Sequence, residues 1–96
     1  MNERRDNIRA DLKNYIPNIK IHKNGYVNAY DICKTEKVFK EFIKDNNTIK
    51  FFRTLKKDTK LSMNELIQHT TNKKKLWIHE FIGCFLNAWC IVFFNH

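Results

Sequence analysis

Residues that interrupt regular structure are scarce in this chain, with two glycines and one proline among 96 residues. A β-sandwich or barrel carries turn signals about every 8–12 residues, so the scarcity points away from those folds and toward helices. Cysteine is also sparse and odd in number. Cys33, Cys84 and Cys90 lie in apolar or helical contexts, which fits small core fillers in a reducing compartment better than a disulfide framework. A secretory signal is lacking, because the charged start Met1-Asn2-Glu3-Arg4-Arg5-Asp6 is followed by no apolar stretch. The chain is therefore expected inside the cell. Its longest apolar run, Phe81 to Phe94, is broken by Asn87 and preceded by His79 and Glu80. That is shorter than the about 20 residues of a spanning helix, so the run is expected as a buried core helix and no membrane is implied.

Sites of chemistry are missing as well. His22, Cys33, His69, His79, Cys84, Cys90 and His96 form no Cys-x-x-Cys or His-x-x-x-His pair, so neither a metal nor any other cofactor is expected. There is no Gly-rich phosphate loop and no Gly-x-Ser-x-Gly elbow, and the acids are scattered among lysines. The pattern is not that of an enzyme.

What the chain does have is aromatic bulk and positive charge. Eight Phe, two Trp and three Tyr provide a core for one domain without a metal or disulfide staple. Eighteen Lys and Arg against ten acids leave a net charge of +8. Between Lys34 and Lys75, eleven Lys and one Arg face five acids, so +7 of the excess lies in the middle of the chain. After Leu76 the only charged side chain, with His neutral, is Glu80, and that part is expected as core rather than contact surface.

Periodicity divides the chain at Pro17. Residues 1–17 read as an N-terminal helical extension carrying Ile8, Leu12, Tyr15 and Ile16 at helical spacing, and residues 18–96 as the main domain. Ile19-His22 and Tyr26-Ala29 flank Lys23-Asn24-Gly25, a hairpin signal because Asn and Gly tolerate positive φ. Asn28 is placed to cap a helix through Cys33. Val38, Phe39, Phe42 and Ile43 make one helical stripe, with Lys37, Lys40, Glu41 and Lys44 opposite. Asp45-Asn46-Asn47 breaks it. Asn47 or Thr48 is expected to cap a second helix that points Ile49, Phe51, Phe52 and Leu55 inward and shows Lys50, Arg53, Lys56 and Lys57 outward. Two helices joined by a short polar turn are the grammar of a helix-turn-helix. Ser62-Met63-Asn64-Glu65 reads as a capping box for a helix through Leu66, Ile67 and His69. Thr70 to Lys75 reads as a hairpin tip, Leu76-Trp77-Ile78 as the strand returning from it, and a last helix starts near Glu80.

Two positive elements from separate places thus stand out, and phosphates reward such an arrangement through counterion release. On the second helix Arg53 suits a bidentate contact to guanine, while Lys50, Lys56, Lys57 and the neighbouring Lys44 suit phosphates. Asn46 and Asn47 suit phosphate or adenine, although turn formation alone accounts for them. Lys73, Lys74 and Lys75 at the hairpin tip suit backbone contacts. Two other readings stay open on the residues alone. One is a protein-interaction or homo-oligomerisation domain using the apolar C-terminal helix, with lysines serving solubility. The other is RNA binding.

The block Gly25-Tyr26-Val27-Asn28-Ala29-Tyr30-Asp31-Ile32-Cys33-Lys34 resembles the signature of the KilA-N domain, found in many large DNA viruses and phages. Phe39 and Phe42 resemble the family's Phe-x-x-Trp pair, with Phe for Trp. Trp77-Ile78-His79-Glu80 is similar to its Trp-Val-His-Pro stretch, and Leu86-Asn87-Ala88-Trp89 to its Leu-Ala-x-Trp continuation. Glu80 stands where the family has Pro, and Asn87 where it has Ala. The resemblance runs from about Ile19 to Trp89. It implies an α+β fold like that of the fungal APSES domains, with a winged helix-turn-helix core. It further implies a double-stranded DNA partner met by a recognition helix at 47–57 and a wing at 70–75. A viral protein acting in the host cytoplasm or nucleus follows from the same resemblance, and larger viral proteins of the family often attach a second domain. Tyr26, Asn28, Trp77 and Trp89 are expected to pack and cap.

Overall fold

The computed structural model describes residues 2–94, with side chains described from 5 to 93; His96 and the charged residues before Arg5 lie outside the described side chains. Helix α1 (Asn2–Tyr15) turns Leu12 fully inward and half-buries Ile8, and leaves Tyr15 in solvent. The chain then reverses through His22 to Tyr26. His22 N–H donates to Tyr26 C=O at 2.8 Å and Gly25 N–H to His22 C=O at 2.9 Å. Only Gly25 takes a positive φ, +88°, while Asn24 accepts the Tyr26 N–H on Oδ1 at 2.9 Å. The loop is therefore of three residues, with glycine at its left-handed position and Asn24 bracing it from the side chain.

Strand β1 (Val27–Asn28) leads directly into α2 (Ala29–Cys33), capped as expected by the Asn28 side chain accepting from Tyr30 N–H. Thr35 caps α3 (Glu36–Lys44) by accepting from Val38 N–H. α4 (Asn46–Thr59) follows α3 with a single residue, Asp45, between them. The expected cap at Asn47 or Thr48 is corrected here: Asp45 is the cap, its carboxylate accepting from Asn47 N–H at 2.8 Å. Thr48 instead lies wholly inside the core. Ile49, expected inward, is exposed at 36%, because the helix starts earlier and its buried face runs through Thr48, Phe52 and Leu55.

The capping box at Ser62 and Glu65 is complete, but α5 (Met63–Leu66) ends before Ile67. Ile67 and His69, expected in that helix, belong to strand β2 (Ile67–His69), where pairing with β3 (Leu76–Ile78) takes their backbone groups. The sheet is antiparallel in the order β1-β3-β2. Val27, Ile78 and Ile67 form one buried row across it, and Trp77 on the other face packs on the His22 ring at 4.8 Å. The fold is helix-rich α+β, as the sequence implies.

Helix α6 (Glu80–Phe94) covers the sheet and also packs on α1 and α2. Gly83 brings it close: a Cβ there would stand 2.7 Å from Val27 Cγ2. Ile82, Leu86 and Cys90 are buried on this side. Among the described residues, no helix is long and apolar enough to cross a membrane. The expectation that everything after Leu76 is core needs correcting, because Cys84, Ala88, Ile91, Val92 and Phe93 are exposed. Cys33 and Cys90 are buried fillers; Cys84 is not.

Candidate nucleic-acid interface

The helix pair is built around one ring. Phe42, on α3 and fully buried, meets Phe39, Phe52, Phe85 and Trp89 with centroids 5.5–6.1 Å apart. Phe51 stacks on Phe85 at 4.4 Å with planes 10° apart. These contacts fix α4 against α3 and α6, aromatic pairs adding to what their burial contributes.

Asp45 is the whole connection between α3 and α4, shorter than the 3–4-residue turn usual in a helix-turn-helix. Its backbone N–H closes α3 on Phe42 C=O, and its C=O accepts from Ile49 N–H at 3.0 Å. Its second carboxylate oxygen accepts the Trp89 indole N–H at 3.2 Å. Those donors, Trp89 first and then Asn47 N–H, hold the carboxyl below its ordinary range. The junction is thereby tied to α6.

With Thr48, Phe52 and Leu55 turned inward, the opposite side of α4 is set by helical periodicity. Asn46, Lys50, Arg53 and Lys57 recur at intervals of four, three and four, and all are exposed. Lys56 is exposed on the flank, and Lys44 is exposed in the last turn of α3. Asn47 gives its backbone N–H to Asp45 and leaves its side chain in solvent. Asn46 and Lys60 also extend this surface. Lys60 closes α4 in a left-handed conformation, φ 59°, with its N–H on Lys56 C=O. Asn46 is expected there from the sequence, beside Asn47; nothing marked Lys60, because a non-Gly left-handed residue has no reliable signature.

The loop 70–75 between β2 and β3 is a hydrogen-bonded turn. Thr70 Oγ1 donates toward Asn72 and Lys75 carbonyls and accepts from Asn72 N–H; Asn72 Oδ1 accepts from Lys74 N–H at 2.9 Å. Asn28 anchors it from beneath. Its Oδ1 accepts Leu76 N–H at 3.0 Å and its amide donates to Lys74 C=O at 3.3 Å. Lys73 and Lys74 are exposed, Lys75 is half-buried, and Lys73 and Lys74 line a 270 Å³ cleft with Tyr30, Asp31, Lys34 and Glu36.

Electrostatic pairing separates the cations into two sets. Arg5 and Arg9 both reach Glu80 Oε1, Arg9 also pairs with Asp6, and Lys40 pairs with Glu36 at 3.3 Å. Among the described residues, Lys44, Lys50, Arg53, Lys56, Lys57, Lys73, Lys74 and Lys75 have no ion-pair partner, and neither do Lys13, Lys20, Lys23, Lys34, Lys37 and Lys60, which are scattered over other elements. No group of three His, Cys, Asp or Glu able to hold a metal occurs among the described residues. The Cys33 thiol is pushed up to about 12 by burial and is protonated at neutral pH.

The family model of the KilA-N domain matches residues 12–94, nearly the whole chain. The chain belongs to the KilA-N domain family. Comparison with curated proteins and with solved structures gave no match. KilA-N domains are in general DNA-binding domains. The signature residues of this KilA-N domain hold its scaffold. Tyr26 donates its hydroxyl to Glu65 C=O at 2.7 Å, Asn28 joins β1, α2 and loop 70–75, and Trp89 joins α6 to the α3–α4 junction. Glu80 is fully buried and takes Arg5 and Arg9 of α1.

Proposed function

We propose that this KilA-N domain binds double-stranded DNA as a winged helix-turn-helix module, α4 lying in a groove and loop 70–75 lying as a wing along the backbone. The observation that carries this reading is a set of cations without an ion-pair partner, seven of them on two braced elements, α4 and loop 70–75, with Lys44 beside them at the end of α3. Lysines and arginines already neutralised by neighbours release few counterions from DNA; unpaired ones release the most. Arg53, at the centre of the α4 stripe, supplies a bidentate contact to guanine. Lys50, Lys56, Lys57 and Lys44 meet phosphates, Asn47 assists at the helix start, and Lys73, Lys74 and Lys75 hold the backbone beside the groove. No step of chemistry is assigned to the domain. Its place of work is wherever duplex DNA is handled in the cell, in a viral setting the host cytoplasm or nucleus.

A duplex binding isotherm at two salt concentrations tests this. Six phosphate contacts give a loss of about 10³ in affinity between 50 and 200 mM salt, and a flat response overturns the reading. Replacing Lys73, Lys74 and Lys75 together by Glu weakens binding to all sequences alike, whereas Arg53→Ala also relaxes sequence preference. Structured RNA that outcompetes duplex DNA at fixed salt would transfer the same face to the other nucleic acid.

A further inference from the structure

Two cavities adjoin beside loop 70–75. The larger, of 400 Å³, lies between α3, α4, α5 and the sheet, and Tyr30, Phe39, Phe52, Met63, Asn64 and His69 line it. The smaller is the 270 Å³ cleft of Lys34, Lys73 and Lys74. Tyr30 and Glu36 line both and so form the wall between them.

The two sides of that wall differ in chemistry. The larger cavity is mainly apolar and aromatic: Phe39 and Phe52 are buried, and Tyr30 meets Phe39 edge-on at 6.5 Å. It falls within the range of small-molecule sites, about 300–1,000 Å³. Asn64 and His69 are exposed, and among the described residues their side chains, like the Tyr30 hydroxyl, make no hydrogen bond. The smaller cavity is cationic. Its two acids are occupied, Asp31 by the Lys20 N–H at 2.7 Å and the Asn28 amide at 3.4 Å, and Glu36 by Lys40 at 3.3 Å. Lys34, Lys73 and Lys74 have no ion-pair partner among the described residues. Lys34 reaches the cleft through a strained reversal after α2, with φ 69° and ψ −37°, closed by Thr35 N–H on Cys33 C=O at 2.8 Å.

A ligand that suits both cavities is flat and apolar with a hydrogen-bonding edge at one end, and anionic at the other. We propose that they hold one nucleotide, an unstacked residue of the bound DNA. Its base lies in the larger cavity against Tyr30 and Phe39, with Asn64 and His69 at its edge, and its phosphate lies in the smaller on Lys73 and Lys74. Stacking on aromatic side chains and hydrogen bonds to the base edge are how extruded bases are held. The proposal rests on the reading of loop 70–75 as a backbone contact. His69 and Leu76, the residues on either side of that loop, both line the larger cavity, as does Phe52 of α4. A strand held by the loop thus has the cavity within reach of one nucleotide.

Fluorescence anisotropy with three labelled duplexes tests this. One is fully paired, one carries a single unpaired nucleotide, and one carries the same nucleotide without its base, which controls for flexibility of the DNA. Each of the four bases is used in turn. For at least one base, the wild type binds the base-bearing duplex at least about tenfold tighter than either other, because no paired stack is broken and a base fills the cavity. Asn64→Trp and His69→Trp, at exposed positions where an indole blocks the cavity, abolish the ratio between base-bearing and base-less duplexes while circular dichroism stays unchanged. Equal affinity of the wild type for those two duplexes overturns the nucleotide site and leaves the DNA-binding reading standing. A ratio that survives both substitutions also overturns it, since the base then lies elsewhere. If no duplex binds, the DNA-binding reading falls, and calorimetry with the free deoxynucleoside monophosphates decides. Binding that both substitutions abolish supports the site with a free nucleotide as its source, and no binding overturns it.

Discussion

Asn28 is where the scaffold and the proposed wing meet, and truncating it to Ala tests both. Its side chain is buried and works in two directions. Oδ1 accepts the Tyr30 N–H that would otherwise be free at the start of α2, and also the Leu76 N–H that begins β3; the amide donates to Lys74 C=O. Loss of a helix cap costs about 1 kcal/mol. Leaving the buried Leu76 N–H unpaired adds about 1–3 kcal/mol, so Asn28→Ala should lose about 2–4 kcal/mol in all. For a domain of this size each kcal/mol lowers Tm by about 4–8 °C, which urea and thermal unfolding resolve easily. Asn24→Ala is the control: Asn24 is exposed and accepts a single N–H, from Tyr26, so it should lose less than about 1 kcal/mol. At a temperature where both variants are folded, Asn28→Ala should still bind DNA more weakly, since the lysine loop has lost its anchor. If Asn28→Ala unfolds within about 0.5 kcal/mol of wild type, the Leu76 N–H has found another acceptor and the bracing argument is wrong.

Three other substitutions probe the core. Gly83→Ala gains about 1 kcal/mol of helix propensity, but its methyl meets the stiff Val27 side chain at 2.7 Å; overpacking costs about 1–3 kcal/mol, and a chemical denaturation midpoint should fall. Thr48→Val should raise that midpoint, by about 1 kcal/mol, because the wholly buried Thr48 hydroxyl has no hydrogen-bond partner among the described residues. Trp89→Phe should flatten the acid limb of stability: the lowered Asp45 pKa contributes stability that is present in and above the ordinary carboxylate range and lost as pH falls through its lower folded value. An unchanged limb in a pH series of unfolding curves would separate Trp89 from that titration.

Much of this arrangement was legible in order along the chain, and the reasons for success and failure are local. Asn28, Ser62 and Glu65 declared their caps because side-chain oxygens near a free N–H are a sufficient signal. The junction at Asp45 misled because three consecutive residues, Asp45, Asn46 and Asn47, are all good caps. What chose Asp45 was its second oxygen reaching the Trp89 indole, 44 positions away. Ile67 to His69 misled for the opposite reason. The capping box starts a helix without stating its length, and pairing with β3 ended it after Leu66. The lysines of α4 were placed correctly by period alone, whereas their lack of acidic neighbours could be seen only in three dimensions.

The balance between paired and unpaired charge also gives the Glu80 departure a physical meaning. At a family position held by Pro, this chain puts a carboxylate at the start of α6, with no exposed surface, and Arg5 and Arg9 of α1 converge on one of its oxygens. A buried carboxylate survives only with such partners, and removing them is costly. The same arginines lie along the hairpin loop: Arg5 reaches Asn24 C=O, and Arg9 occupies the space that a side chain at Gly25 would need. One acid thus ties α1, the loop and α6 together and, with Asp6 on Arg9, offsets two of the six cations that precede Lys34. The consequence is a separation of charge by role. Arg5 and Arg9 of the N-terminal helix are used in holding the fold, and the cations on α4 and loop 70–75, without ion-pair partners among the described residues, are left for an external anion.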